Sequence, residues 1–216
     1  MLKAVIFDLD GTLLDTLEDI AISCNFVLES FHKSPLPKED YNLLVGQGAK
    51  QLLKDVLPEL SSLEQVKALE LFEKHYKNQL SKNTKIYEGI SKVLSFLQVK
   101  GIKMAILSNK PNAFTKICAL KYLKKWNFDA VYGIREGIER KPHQAGVLEI
   151  LKELQVKPCE AIFVGDTKVD MLTAQNSHMP SIGVLWGFRP KDELVENGAT
   201  YIAQNPKEII KIVEYL

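Results

Sequence analysis

Two carboxylates separated by a single residue close a short apolar run: Asp8-Leu9-Asp10-Gly11-Thr12 follows Leu2 to Phe7. Alternate side chains of a strand share a face, so Asp8 and Asp10 are expected to point one way and Leu9 the other. Like charges aimed at one spot repel unless a cation joins them or one carboxyl keeps its proton. The pair therefore reads as a cation-assisted or proton-carrying site rather than as an acidic surface turn.

Partners for such a pair stand at the ends of other apolar runs. Ile102 to Leu107 leads into Ser108-Asn109-Lys110, and Ala161 to Val164 leads into Gly165-Asp166-Thr167-Lys168-Val169-Asp170, with Arg140-Lys141-Pro142 between them. Taken singly each has a plainer reading: Ser-Asn as a helix cap, Lys141 as a solvated loop charge, Gly165-Asp166 as a tight turn. In open parallel sheets, however, ligands bind beyond the carboxyl ends of strands, so residues far apart in sequence meet there.

The elements that must position these residues alternate in type. Strands are expected at Ala4 to Phe7, Lys103 to Leu107, Ala130 to Tyr132, Ala161 to Val164, Pro180 to Val184 and Thr200 to Ala203. Between them Ile90 to Gln98 and Val147 to Leu154 have helical apolar spacing, the first closed by Gly101. The pattern predicts an α/β fold, a doubly wound parallel sheet of Rossmann-like form covered by helices on both faces. From about Asp15 to Asn83 no strand is expected. Instead Ile20, Cys24, Val27, Leu28 and Phe31 form one helical stripe and Val66, Leu69, Phe72, Tyr76 and Leu80 another, the second preceded by Ser62 and Gln65 as a capping box. The expected division is a core of residues 1–14 and 84–216 with a helical insertion at 15–83.

Composition excludes several functions. The 216 residues hold 28 basic and 27 acidic side chains, a net charge of +1, so no overall field favours nucleic acid or an anionic membrane. No apolar run is long enough to span a bilayer, and the one before Asp8 is too short for a signal peptide. Cys24, Cys118 and Cys159 lie far apart, which suggests neither a disulfide framework nor a zinc site; each is expected to be a small buried hydrophobe, in a reducing cytoplasm.

Four motifs, in order, make the chain similar to the haloacid dehalogenase-like hydrolases, and among them to the phosphoglycolate phosphatase-like branch. They are Asp8-x-Asp10-Gly-Thr-Leu, Ser108-Asn109, Lys141 followed by Pro142, and Gly165-Asp166-x-x-x-Asp170, and the resemblance runs from Val5 to about Arg189. It implies that Asp8 is a nucleophile forming an aspartyl-phosphate, and that Asp10 is the acid and base. It also implies that Thr12, Ser108 and Asn109 bind substrate and that Lys141 sets a point charge against the phosphoryl oxygens. At about 4 Å and an effective dielectric of 20, a carboxylate meeting a phosphate dianion faces roughly 8 kcal/mol of repulsion. A divalent cation at similar range outweighs that, so Mg²⁺ is the expected cofactor. Its ligands would come from Asp8, Asp10 through its backbone carbonyl, Asp166 and Asp170, with Asp170 orienting Lys141 or a metal-bound water.

The same resemblance implies that the insertion at 15–83 is a cap domain that opens for substrate and closes for chemistry. Gly46-Gln47-Gly48 with Lys50 is the candidate selectivity loop, because glycines permit close backbone approach to a small ligand. Trp186-Gly187-Phe188-Arg189 resembles the branch's Gly-x-x-Trp-Gly-Tyr segment and is expected to pack, with Arg189 a second candidate for an anionic leaving group. Two departures loosen the link to phosphoglycolate: His143-Gln144 replaces a second proline, and Gln175 to Met179 replaces small residues and a glycine. The expected activity is Mg²⁺-dependent hydrolysis of a small phosphorylated metabolite by a monomer or homodimer. Phosphoglycolate is the leading substrate, and a sugar-phosphate mutase, a nucleotidase, a pyrophosphatase and a non-catalytic phosphate sensor are the alternatives.

Overall fold

A computed structural model of the chain describes residues 1–80 and 82–216. Its centre is a six-stranded parallel sheet in the order β5-β4-β1-β6-β7-β8, with β1 Ala4–Phe7, β4 Lys103–Pro111, β5 Ala130–Ile134, β6 Ala161–Gly165, β7 Ser181–Val184 and β8 Tyr201–Ala203. Every residue of β1 is buried because both of its faces are covered, which is why the run reads as continuously apolar instead of alternating. Val5 and Phe7 face the helices α5 (Ile90–Val99) and α10 (Pro206–Tyr215) through Ile90, Val93, Leu94, Leu97, Ile209 and Val213. Ala4 and Ile6 face the other way, onto Val147, Ile150, Leu151 and Leu154 of α7 (Ala145–Leu154). Gly101 closes α5 at φ +68°, with its N–H on the Gln98 carbonyl and the Ile102 N–H on that of Leu97.

Each of the six expected strands is present. β4 alone is much longer than expected, running on through Ser108, Asn109 and Lys110 with a shift of register against β5 between Leu107 and Pro111. A helical insertion follows β1, made of α1 (Leu17–Ser30), α2 (Tyr41–Leu44), α3 (Ala49–Val56) and α4 (Ser62–Gln79). It has its own apolar cluster, in which Ile20, Cys24, Val27 and Leu28 of α1 meet Leu52, Leu53, Phe72 and Tyr76.

Three details of the insertion differ from expectation. The capping box of α4 is Ser61 with Glu64, one residue earlier: the Ser61 N–H donates to Glu64 Oε2 at 2.9 Å and the Glu64 N–H to Ser61 Oγ at 3.4 Å. The buried stripe of α4 runs through Ala68, Phe72, Tyr76 and Gln79, and Val66 is exposed because that position turns away from α1. The stem is also not purely helical, since β2 (Leu14–Asp15) pairs antiparallel with β3 (Lys85–Ile86). Above this ribbon the buried Asp19 carboxylate accepts from Gln79 Nε2, from the Asn83 N–H and Nδ2, and from the Thr84 N–H and Oγ1, tying the outgoing and returning connections together. These bonds hold the Asp19 carboxyl below its usual range despite its burial. Cys24 and Cys118 are buried as expected, whereas Cys159, on a turn before β6, is exposed.

Candidate active site

Three adjacent strands deliver the chemistry. β1 sits between β4 and β6, so Asp8 follows the central strand, Ser108 to Lys110 end one neighbour, and Gly165-Asp166 ends the other. The Asp8 N–H donates to the Val164 carbonyl at 2.9 Å, which extends the ladder to the first acid. Asp8, Asp166 and Asp170 then meet, each offering a carboxylate oxygen within 4.8 Å of the others, and all three are buried.

One cation faces this cluster. Lys141 Nζ lies 2.8 Å from Asp8 Oδ1 and donates to Asp170 Oδ1 at 2.7 Å. Asp170 Oδ2 in turn accepts from the Thr167 N–H and Oγ1, the capping box of α8 (Lys168–Asn176), so its helix start doubles as the brace of Lys141. Asp166 accepts from Thr12 Oγ1 at 3.0 Å and from the Phe188 N–H at 2.8 Å. Two glycines make room for it: a Cβ on Gly11, which sits at φ +86°, would lie 2.2 Å from Asp166 Oδ2, and one on Gly187 would lie 2.3 Å from the Asp166 Cβ.

Three buried acids against one lysine leave an excess of negative charge. Burial pushes the Asp8 carboxyl up to about 7; Lys141 opposes this and Asp170 adds to it. Asp166 is raised well above the carboxylate range, first by burial and then by Asp170 and Asp8. For Lys141 burial disfavours the charge, but Asp170 and Asp8 outweigh it and its pKa is raised. Such a set of hard oxygens, short of positive charge and cradled by glycine, fits a divalent cation of the Mg²⁺ kind. Asp10 does not join the cluster through its carboxylate, because Lys110 takes both oxygens at 2.8 Å. Any contribution from Asp10 to a cation would have to come from its backbone carbonyl.

A cavity opens between these residues and the insertion, lined by Asp8, Asp10, Ser108, Asn109 and Lys110 below and by Ile20, Val45, Gly46, Gly48, Leu52, Phe72 and Tyr76 above. The expected substrate residues divide. Ser108, Asn109, Gly46 and Gly48 reach the cavity. Thr12 does not, being fully buried beneath Asp166. Gln47 and Lys50 point to solvent; the Gln47 carbonyl accepts from Arg140 Nη1 at 2.7 Å. The glycines are needed for close approach to the core as much as to any ligand, since a Cβ on Gly48 (φ +83°) would come within 2.8 Å of the Asn109 carbonyl. Asn109 spends its side-chain N–H groups on the carbonyls of Lys141 (3.0 Å) and Gly46 (3.2 Å), joining the third motif to the insertion rather than facing an anion.

Arg189 is likewise committed to the insertion. Its guanidinium donates to the carbonyls of Asn42, Leu43 and Val45, and its Nε is paired with Glu193. His143 is exposed, paired with Glu139, and accepts from the Ala145 N–H, away from the cavity. Trp186 packs as expected, with Nε1 on the Thr12 carbonyl. Lys110 is the site residue that motif reading passed over. Strand alternation placed it on the face of Ser108, a signal available in the sequence.

The fold and the site together define a hydrolytic α/β enzyme whose carboxylates gather at the end of a parallel sheet. The profile of the haloacid dehalogenase-like hydrolases matches residues 5–184, and the chain belongs to that family. Within it the chain is a phosphatase. It is 30% identical over 196 residues to a phosphoglycolate phosphatase of Psychrobacter arcticus, covering 86% of this chain and 84% of the relative. It is 27% identical over 215 residues to one of Colwellia psychrerythraea, covering 96% and 95%. A solved structure from Lactobacillus delbrueckii subsp. bulgaricus superposes with a TM-score of 0.92 at 29% identity over 98% of both chains.

Proposed function

We propose that the protein is a Mg²⁺-dependent phosphatase of a small phosphorylated metabolite, with phosphoglycolate the leading substrate, working through an aspartyl-phosphate. The observation that carries this reading is the buried meeting of Asp8, Lys141, Asp166 and Asp170 beside a cavity that also holds Asp10. Asp8 attacks phosphorus, and the bond from phosphorus to the leaving oxygen breaks. Asp10 gives that oxygen a proton, then takes one from the water that attacks the phosphorus of the acyl phosphate; inorganic phosphate leaves and the Asp8 carboxylate is restored. Ser108 donates to the phosphoryl oxygens, and Lys141 neutralises charge on Asp8 and on the group it receives. Asp8, Asp166, Asp170 and the Asp10 carbonyl would hold Mg²⁺, which supplies charge neutralisation between the nucleophile and the phosphoryl group.

Residues 15–83 act as the cap and 1–14 with 84–216 as the catalytic core, the cap closing so that water is excluded while the intermediate forms. The relatives named phosphoglycolate phosphatase support the substrate, as does the presence of a cation, Lys110, in the cavity. Among the described residues no helix is long and apolar enough to cross a membrane; a cytoplasmic location and a monomer or homodimer are part of the proposal. Phosphate release from a generic aryl phosphate, measured with and without Mg²⁺, tests the reading. Asp8→Asn is expected to abolish turnover with the fold intact; unchanged turnover would refute the nucleophile.

A further inference from the structure

The walls of the cavity between insertion and core are selective. Ile20, Leu52, Phe72 and Phe114 present carbon to the leaving group, and hydroxyls set against them would lose their hydrogen bonds to water without replacement.

Among the described residues, one cation lines this cavity, Lys110. Lys141 belongs to the carboxylate cluster, Lys50 is exposed, and Arg140 is held by the Gln47 carbonyl. An ammonium has three N–H donors. Lys110 gives two to Asp10 and sits 4.9 Å from the centre of the Tyr76 ring. The Tyr76 hydroxyl, buried beside it, has no hydrogen bond of good geometry. The ammonium and the hydroxyl beside it thus stand together on the cavity wall next to Asp10, where a leaving group must lie if Asp10 protonates it.

We infer that Lys110, assisted by the Tyr76 hydroxyl, determines specificity by reading a negative charge at the far end of a short leaving group. The inference rests on the phosphatase reading and narrows its substrate class. The anion takes the remaining Lys110 donor and the tyrosine O–H, so that the ammonium is shared between substrate and Asp10. A neutral group of equal length finds no such partner. Two chemistries meet the requirement, the carboxylate of a short phosphorylated hydroxy acid and the terminal phosphate of pyrophosphate.

Steady-state phosphate release in Mg²⁺ with phosphoglycolate, pyrophosphate and neutral 2-hydroxyethyl phosphate tests this. The wild-type kcat/KM for one of the anionic substrates should exceed that for the neutral one by roughly 10- to 100-fold, as expected for a bond to a charged group. Whichever anion ranks higher identifies the chemistry. Lys110→Met should collapse that ratio to near unity, and Lys110→Arg should keep most of it. Lys110→Gln, with thermal melts to certify folding, serves if the methionine variant does not fold. A wild type without the preference, a Lys110→Met enzyme that keeps it, or an equal loss on all three substrates would overturn the assignment. Failure of the phosphatase reading is distinct, since aryl phosphate turnover would then be absent or independent of Asp8.

Discussion

Asp8 and Asp10 leave one strand on the same side and still acquire different surroundings. Lys141 and the acids of the fourth motif close round Asp8, whereas Lys110 takes Asp10 alone. The difference suits a nucleophile that must share a cation and a proton carrier that must stay clear of it. Asp166 depends on a third residue of the first motif. Thr12, expected to touch substrate, instead donates to Asp166 Oδ1 and so aims that carboxylate at the cluster. Thr12→Val keeps the shape and removes the bond. It should raise the Mg²⁺ concentration for half-maximal activity by about 10- to 100-fold, the usual cost of losing a group that orients a metal ligand. A Mg²⁺ titration of phosphate release checks this, with kcat at saturating metal expected to change much less.

At the scale of elements the decisive contact is between the short α2 to α3 segment and the core. Arg189 holds the carbonyls of Asn42, Leu43 and Val45, Asn109 that of Gly46, and Arg140 that of Gln47. All five acceptors are backbone groups, and those of Asn42 and Leu43 lie at the end of α2, where helix carbonyls lack internal partners. Each bond from a charged donor is worth about 1.5 to 3 kcal/mol, so the clasp weighs heavily in holding this segment to the core. Arg189→Met keeps the bulk of the side chain and loses the donors. Amide hydrogen exchange across residues 41–48 should then quicken by roughly tenfold or more, with β1 and β4 unchanged. Equal protection in both proteins would show that packing of the insertion's apolar cluster alone holds the segment in place.

For the molecule as a whole, the buried acids link stability to both protons and metal. Asp8, raised to about 7, and Asp166, also raised well above its ordinary range, hold protons in the metal-free folded chain that an unfolded chain releases near pH 4. From about pH 4 to about pH 7 the folded state therefore binds more protons than the unfolded one, and stability falls as pH rises across that window. A cation displaces those protons. Millimolar Mg²⁺ should raise the melting temperature more at about pH 8 than at about pH 5, because at the lower pH it competes with protons for the same oxygens. Thermal melts at the two values, with and without metal, measure the difference directly. An equal rise at both would place the metal away from Asp8 and Asp166.

The strands, the two-sided cover of the sheet and the helical insertion were all legible before folding was considered, because each is written in the spacing of neighbouring residues. Strand-end motifs were legible for the same reason: Asp8, Ser108 and Asp166 each follow an apolar run that burial makes unmistakable. What could not be read was the pairing. Lys110 with Asp10 joins residues 100 apart in the chain, Asn109 with Gly46 residues 63 apart, and Thr12 with Asp166 residues 154 apart. Local periodicity has no knowledge of such distances. That Lys110 neutralises Asp10, and that Arg189 and Asn109 hold the insertion, was settled by how sheet and insertion pack, since a buried charge or carbonyl takes whichever partner the packing sets within reach.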